Sequence, residues 1–131
     1  MLSPEELMSD GTHILTLTYP MPERLNQRAS RSLDPRDGKQ RWMFGKCVAP
    51  GGRPMPNVGI GESDSISLKH AQIRFDGRRF VLEDLRSRFG TQIRRAGNTR
   101  DVGEDEIVLE AGDVIIFPGN IEVEIDIQLA T

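Results

Sequence analysis

The sequence has few of the residues that cross-link small proteins through disulfides or metals. Its 131 residues include a single cysteine, Cys47, and two histidines. One cysteine excludes an internal disulfide, and the absence of a Cys/His cluster excludes a structural zinc site. So few reactive side chains give no nucleophile–base constellation, and we expect no metal, no cofactor and no enzymatic activity. The cysteine usage makes the cytoplasm the expected location.

Long hydrophobic runs and a strong net charge are also missing. No stretch approaches the roughly 18 consecutive apolar residues of a transmembrane helix, and the N-terminus is acidic where a secretory signal is basic. We therefore expect no membrane segment. The formal charge of −3 argues against a globally basic nucleic-acid binder. The length fits one domain with one core.

The small net charge conceals two blocks of opposite sign. Residues 69–100 carry 9 basic and 3 acidic side chains, whereas residues 101–131 carry 9 acidic and no basic ones. Most basic residues are arginine, which is suited to bidentate contacts with phosphate or carboxylate. Two interpretations follow. The basic block contacts an acidic or phosphorylated ligand, or it pairs inside the molecule with acidic residues such as those at 104–110.

Alternating hydrophobic patterns predict β-strands along most of the chain. The clearest is 121–129, where Ile, Val and Leu alternate strictly with Glu, Asp and Gln. Residues 12–19 repeat the pattern, and Asp76-Gly77 is typical of a tight hairpin turn. No helical period follows residue 11. Many short strands separated by turns predict an all-β sandwich.

Two segments depart from this pattern. Ser3-Pro4-Glu5-Glu6 resembles a capped helix start, which predicts a short helical lead-in over residues 1–11. Residues 20–41 are polar and rich in arginine, which predicts a long exposed loop or an ordered excursion between strands. The domain itself is expected to span residues 12–131.

Four motifs in the second half occur in a characteristic order. They are the runs Ser67–Ile73, Phe80–Thr91 and Leu109–Ile115 and the pair Pro118-Gly119, preceded by Trp42–Lys46 as an apolar strand that ends in Gly-Lys. In this order and spacing they resemble the forkhead-associated (FHA) domain. The resemblance implies a β-sandwich of about 11 strands whose loops at one end bind phosphothreonine peptides.

The same resemblance implies a set of phosphate-binding residues. Ser67 would give its hydroxyl and backbone N–H to the phosphate. The cation has three candidates. Sequence context favours Lys46, although the family has arginine there; the distance to Ser67 favours Arg53; Lys69 resembles a basic position that flanks the phosphate. Charged and short polar donors fit a phosphothreonine, which brings a charge of about −1.5 to −2 and three acceptor oxygens.

A second set of residues supports or lines this site. His70 corresponds to the motif histidine, whose imidazole is expected to tie the phosphate loop to the loop that carries Gly90 and Thr91. Thr91 keeps a hydroxyl beside the ligand. Arg88 adds a charge near the same turn.

Phe89 is the clearest departure from the family pattern. The family has an asparagine here, and that side chain holds the main chain of the bound peptide. Phenylalanine cannot do so, which leaves two alternatives. The clamp has moved, for example to Asn98 or Gln92, or the domain recognises its partner through apolar contacts, with Phe89 as an exposed anchor.

These residues favour a non-enzymatic adaptor in signalling. Its expected partner is a phosphothreonine-containing or acidic protein segment, such as one in a Ser/Thr kinase or its substrate. The alternative is a phosphate-independent FHA-like scaffold or assembly module, which Lys46 and Phe89 favour. Nucleic-acid binding through the arginine-rich segment ranks below both, because residues 69–100 offer only three phenylalanines for base stacking and two of them lie in predicted strands.

Overall fold

The structure is a computed structural model that describes residues 13–21, 24–47 and 56–129. Most of these residues lie in strands. A single turn of 3-10 helix, Pro35–Asp37, lies between the second and third strands. In chain order the strands are β1 (His13–Met21), β2 (Arg24–Leu33), β3 (Arg41–Lys46), β4 (Val58–Gly61), β5 (Ala71–Phe75), β6 (Phe80–Asp84), β7 (Gln92–Arg95), β8 (Asn98–Asp101), β9 (Ile107–Val108), β10 (Val114–Phe117) and β11 (Ile121–Leu129).

The strands form two sheets that face each other across one core. The first has the order β2-β1-β11-β10-β7-β8 and the second β4-β3-β5-β6-β9. Strands β3 and β4 pair in parallel, and the other pairs are antiparallel. The predicted all-β sandwich of eleven strands is confirmed. Its core includes Leu15, Leu17, Phe44, Ile73, Leu82, Ile115 and Phe117, all essentially inaccessible to solvent.

The strict alternation at the C-terminal end produces a two-faced central strand. Strand β11 pairs with β1 on one side and β10 on the other. Val123 and Ile125 are buried in the core, whereas Glu124 and Asp126 are exposed. Successive side chains of a strand point to opposite faces, so this period fixes which face is the inner one.

The polar segment 20–41 is mostly strand, and its prediction as a long loop is wrong. Residues 24–33 form β2, which pairs with β1 at the edge of the first sheet. An edge strand is held by backbone bonds to one neighbour and can keep a polar sequence. Its side chains also bond across the surface: the Ser30 and Thr18 hydroxyls lie 3.3 Å apart, and Arg28 pairs with Glu124 at 3.3 Å.

The predicted lead-in at 1–11 lies outside the described residues. Among those that are described, no helix is long and apolar enough to cross a membrane.

Close backbone packing at one end of the sandwich positions the loops that follow β4 and β6. The N–H of His70 donates to Phe44 O at 2.9 Å, and the N–H of Leu85 donates to His70 O at 2.9 Å. Gly45 lies directly beneath the first of these loops, where a side chain would collide with the Leu68 carbonyl. Glycine at this position therefore lets the loop rest on β3.

Candidate functional site

Two loops meet at Ser67, at the end of the sandwich where β3 and β6 terminate. We call residues 62–70, between β4 and β5, and residues 85–91, between β6 and β7, the apical loops. The Ser67 hydroxyl accepts a hydrogen bond from the Arg88 N–H at 3.0 Å. The Lys46 N–H donates to Ser67 O at 3.0 Å. The structure therefore brings together three of the residues that the sequence singled out, Lys46, Ser67 and Arg88.

The backbone N–H of Ser67 is occupied inside the protein. It donates to His70 Nδ1 at 3.0 Å, so it is not free to contact a phosphate, contrary to the expectation from the family resemblance. The hydroxyl differs, because it accepts from Arg88 and its own proton has no acceptor among the described residues. A serine hydroxyl can both donate and accept, which leaves this proton available to a ligand oxygen.

The buried ring of His70 bonds through both nitrogens, to Ser67 in its own apical loop and to Gly90 in the other. Nδ1 accepts from Ser67, so Nε2 carries the proton and donates to Gly90 O at 2.9 Å. The ring also meets Phe117 edge-on, with centroids 5.2 Å apart. Burial lowers the pKa of His70 below its ordinary value of 6.5, although the bond to Gly90 and the charge of Asp84 oppose the shift. The neutral imidazole is thus the form that holds the loops together.

Asp84, which the sequence analysis did not single out, organises the second apical loop. Its carboxylate accepts from the Ser87 N–H at 2.9 Å, the Ser87 hydroxyl at 2.6 Å and the Thr91 hydroxyl at 2.6 Å. The Ser87 oxygen in turn accepts from the Gly90 N–H at 3.0 Å. Arg86 has a φ of 57° and Gly90 one of 85°. Only the fixed spacing of the Asp-Leu-x-Ser run could have indicated this network.

Thr91 lies inside this network and away from the surface. Its side chain is buried and its hydroxyl points to Asp84. The expectation that this hydroxyl faces a ligand is therefore wrong, because a buried hydroxyl beside a carboxylate is satisfied there. Thr91 instead helps to hold the loop that carries Arg88 and Phe89.

The candidate cations have different surroundings. The Lys46 Nζ contacts Asp64 Oδ1 at 2.6 Å, and the Asp64 side chain is 94% exposed. This contact, followed by the charge of Arg88, lowers the pKa of Asp64. Lys69 is exposed on the first apical loop, while Arg53 lies outside the described residues. Asp64 had no distinguishing pattern in the sequence.

Phe89 and Leu68 are the exposed apolar side chains of the apical loops. Phe89 is 60% and Leu68 44% accessible. The Arg88 guanidinium stacks on the Phe89 ring, 5.2 Å from its centroid. Neither proposed replacement for the missing asparagine is free at this site. The Gln92 amide donates to Asp101 Oδ1 at 3.2 Å. The backbone of Asn98 pairs with that of Arg95 beside the β7–β8 turn, so Asn98 lies at the end of β7 opposite to the apical loops.

A family model described as the FHA domain matches residues 51–118, more than half of the chain. The chain belongs to the FHA family. No curated protein matches this FHA chain in sequence.

Solved FHA structures share this fold at low sequence identity. The FHA domain of an Arabidopsis thaliana hypothetical protein has a TM-score of 0.64 at 22% identity, covering 92% of this chain and 91% of that one. Mycobacterium tuberculosis EmbR, in complex with a low-affinity phosphopeptide, has a TM-score of 0.65 at 19% identity, covering 90% of this chain and 25% of EmbR. The yeast Dun1 FHA domain, in complex with a doubly phosphorylated peptide derived from Rad53, has a TM-score of 0.59 at 20% identity, covering 92% and 78%.

Most arginines of the basic block are neutralised within the FHA domain. Arg94 binds both carboxylate oxygens of Glu122, at 2.7 and 3.2 Å, and thereby lowers the pKa of Glu122. Arg95 binds both oxygens of buried Asp113, at 2.8 and 2.7 Å. Further pairs join Arg74 to Glu83 and Glu106, Arg95 to Glu110, and Arg100 to Asp105. These pairs support the interpretation of internal charge balance and argue against a nucleic-acid surface.

Of the four basic-block residues that form no ion pair in the described part of the chain, three lie in the apical loops, and the fourth, Arg78, lies in the β5–β6 turn. Lys69, Arg86 and Arg88 form no ion pair with any carboxylate in the described part of the chain, and all three are exposed. Neither do the described residues include a group of three or more His, Cys, Asp or Glu side chains that could hold a metal. These three unpaired cations outnumber the one exposed, unpaired carboxylate of the apical loops, Glu62, so the net free charge of the loops is positive and suits an anionic ligand.

Proposed function

We propose that this FHA domain binds a phosphothreonine-containing protein segment at its apical loops and so joins two proteins in signalling. The observation that carries the proposal is the Ser67–Arg88 hydrogen bond, which brings a hydroxyl with a free proton beside cations that lack carboxylate partners. A phosphate with a charge of about −1.5 to −2 and three acceptor oxygens needs such a combination.

Each residue has a distinct part in this proposal. Ser67 donates its hydroxyl proton to a phosphate oxygen. Lys46 supplies an ammonium group once it leaves Asp64, and Arg88 and Lys69 add charge at the rim. Arg53 is an additional cation candidate on grounds of spacing alone. Charge-assisted bonds of this kind are roughly twice as strong as neutral ones.

The remaining residues hold these groups in position and touch no ligand. His70 fixes the first apical loop against the second through Gly90, and Thr91 bonds to Asp84 beneath the surface.

A comparison of paired peptide libraries tests the proposal. The libraries have one fixed threonine, phosphorylated in one and free in the other, with degenerate flanking positions. We expect binding to the phosphorylated library only, and a loss of about tenfold or more in Ser67→Ala, because a hydrogen bond to a charged group is removed. Ser65→Ala, in the same loop, is the matched control and should bind normally. Equal affinity for the two libraries would refute the proposal.

A second function is favoured by the exposure of Phe89. Here the domain acts as an assembly module that captures an unphosphorylated partner through apolar contacts. In that case Phe89→Ser abolishes capture while Ser67→Ala leaves it intact. The reverse result, loss in Ser67→Ala with only partial loss in Phe89→Ser, favours phosphopeptide binding.

A further inference from the structure

Two large hydrophobic side chains are exposed in the described part of the chain, and both lie in the apical loops. They are Phe89, 60% accessible, and Leu68, 44% accessible. Each directly follows a partner in the hydrogen bond between Ser67 and Arg88. That bond therefore places the two exposed residues on neighbouring backbone segments.

The local structure holds this apolar pair in place. Arg88 stacks on the Phe89 ring at 5.2 Å, and the Asp84 network fixes the backbone on either side of it. Single exposed hydrophobic residues are common on proteins, but adjacent ones on a rigid surface mark contact sites. Exposure here serves no packing purpose within the described chain.

The surroundings of the pair define the kind of ligand that would cover it. Lys69, Arg86 and Arg88 flank Leu68 and Phe89 and have no carboxylate partner among the described residues. A purely apolar segment would leave these cations without a negative partner. A purely acidic segment would leave the apolar side chains exposed to water. The complementary ligand therefore has a negative group and a bulky apolar side chain close together.

We propose that the apical loops select phosphorylated segments with a bulky apolar side chain beside the phosphothreonine, packed against Phe89 and Leu68. This inference rests on the proposed function and names the ligand class of the same site. Its chemical reason is the side chain at position 89. The phenylalanine side chain has no hydrogen-bonding group with which to hold a peptide main chain. Selection among phosphorylated peptides then depends on the ligand side chain that covers the ring.

Binding to a degenerate library with a fixed phosphothreonine tests this selection. We expect one flanking position to be enriched in Leu, Ile, Met or Phe. For the enriched peptide, Phe89→Ser and Leu68→Ser should each lower the affinity by about tenfold, the weight of one buried apolar side chain. Neither variant should change the affinity for the twin peptide that has alanine at that position.

Two variants separate selection from general damage. Phe89→Leu keeps an apolar surface and should retain the enrichment. Phe89→Asn should lose it while keeping phosphate-dependent binding, because its amide can hold the peptide main chain instead. All these side chains are exposed, so thermal melting should be unchanged and serves as the check on folding.

The outcomes distinguish the two proposals. Phosphate-dependent binding without enrichment overturns this inference and leaves the proposed function standing, as does enrichment that persists in both serine variants. Enrichment of the same apolar residues in the unphosphorylated library, with equal affinity, overturns both and favours the assembly module. The absence of binding to either library also overturns both.

Discussion

Replacing Asp64 by asparagine should tighten phosphopeptide binding. The Asp64 carboxylate contacts the Lys46 ammonium at 2.6 Å and so holds the cation that the proposed function assigns to the phosphate. The charge of Arg88 also acts on it, and these cations lower the pKa of Asp64 below its ordinary value. A ligand phosphate must therefore displace a carboxylate that is already in place.

The exposure of this ion pair limits the size of the effect. The Asp64 side chain is 94% exposed and that of Lys46 28% exposed, so water and salt screen their attraction. Ion pairs this exposed change an equilibrium constant by about fivefold at most. We expect Asp64→Asn to raise the affinity by roughly two- to fivefold, with the larger value at low salt because screening weakens the pair.

Titration calorimetry of one phosphothreonine peptide against four forms of the domain isolates the Lys46–Asp64 contact. The four forms are wild type, Asp64→Asn, Lys46→Met and the double substitution. Asp64→Asn should have little effect once Lys46 is absent. Glu62→Gln removes the same charge from the same loop, and Glu62 makes no ion pair among the described residues. It therefore measures the long-range effect alone.

Weaker binding by Asp64→Asn would refute this reasoning. It would mean that Asp64 holds Lys46 in position for the ligand instead of competing with it. An equal gain from Glu62→Gln would refute the direct contact and leave only the general effect of net charge.

Three further substitutions or titrations test the framework of the site. Thr91→Val removes the bond to Asp84 and should lower the free energy of unfolding by about 2 kcal/mol with weaker peptide binding, as measured by denaturant melts and titration. The pKa of His70 in the folded domain is lower than the ordinary value of 6.5, so the neutral ring stabilises the fold fully above pH 6.5. Below that pH the free energy of unfolding should fall, by at most about 1.4 kcal/mol per pH unit. Arg95→Met should lower the free energy of unfolding by about 2 kcal/mol, because the substitution leaves the buried Asp113 carboxylate without its cation. The loss should be smaller than the roughly 3–5 kcal/mol of a fully buried pair, because Arg95 is partly exposed.

Each of these has an internal control. Thr99→Val alters an exposed hydroxyl on β8 and should leave stability unchanged; an equal loss would show that the Thr91 effect is not specific to the bond with Asp84. His13→Gln should retain the acid slope and His70→Gln should flatten it. Arg28→Met breaks an exposed pair and should cost less than about 1 kcal/mol, so a similar loss there would contradict the argument for Arg95.

The sequence was most informative where local chemistry decides the structure. The period-two pattern of 121–129 determines the two faces of β11, and Asp76-Gly77 gives the β5–β6 turn. The four ordered motifs identified the family. These features depend on residues a few positions apart, which a linear sequence displays directly.

The strand at 24–33 was missed because its stability is not local. Strand β2 has no regular hydrophobic alternation and is held by backbone bonds to β1. Whether a polar segment becomes an edge strand or a loop depends on whether a neighbour offers it unpaired backbone groups.

What the sequence by itself determined is the sandwich, the family and the presence of Ser67, His70 and Phe89 in its motifs. Tertiary structure alone decided what those groups do. It committed the Ser67 N–H to His70 and the Thr91 hydroxyl to Asp84, and it paired Arg94 with Glu122, which lies 28 positions along the chain. Such contacts depend on which strands become neighbours and on how two loops meet. The sequence alone therefore could not show which arginines are neutralised, because the paired residues meet only when β7, β10 and β11 lie side by side.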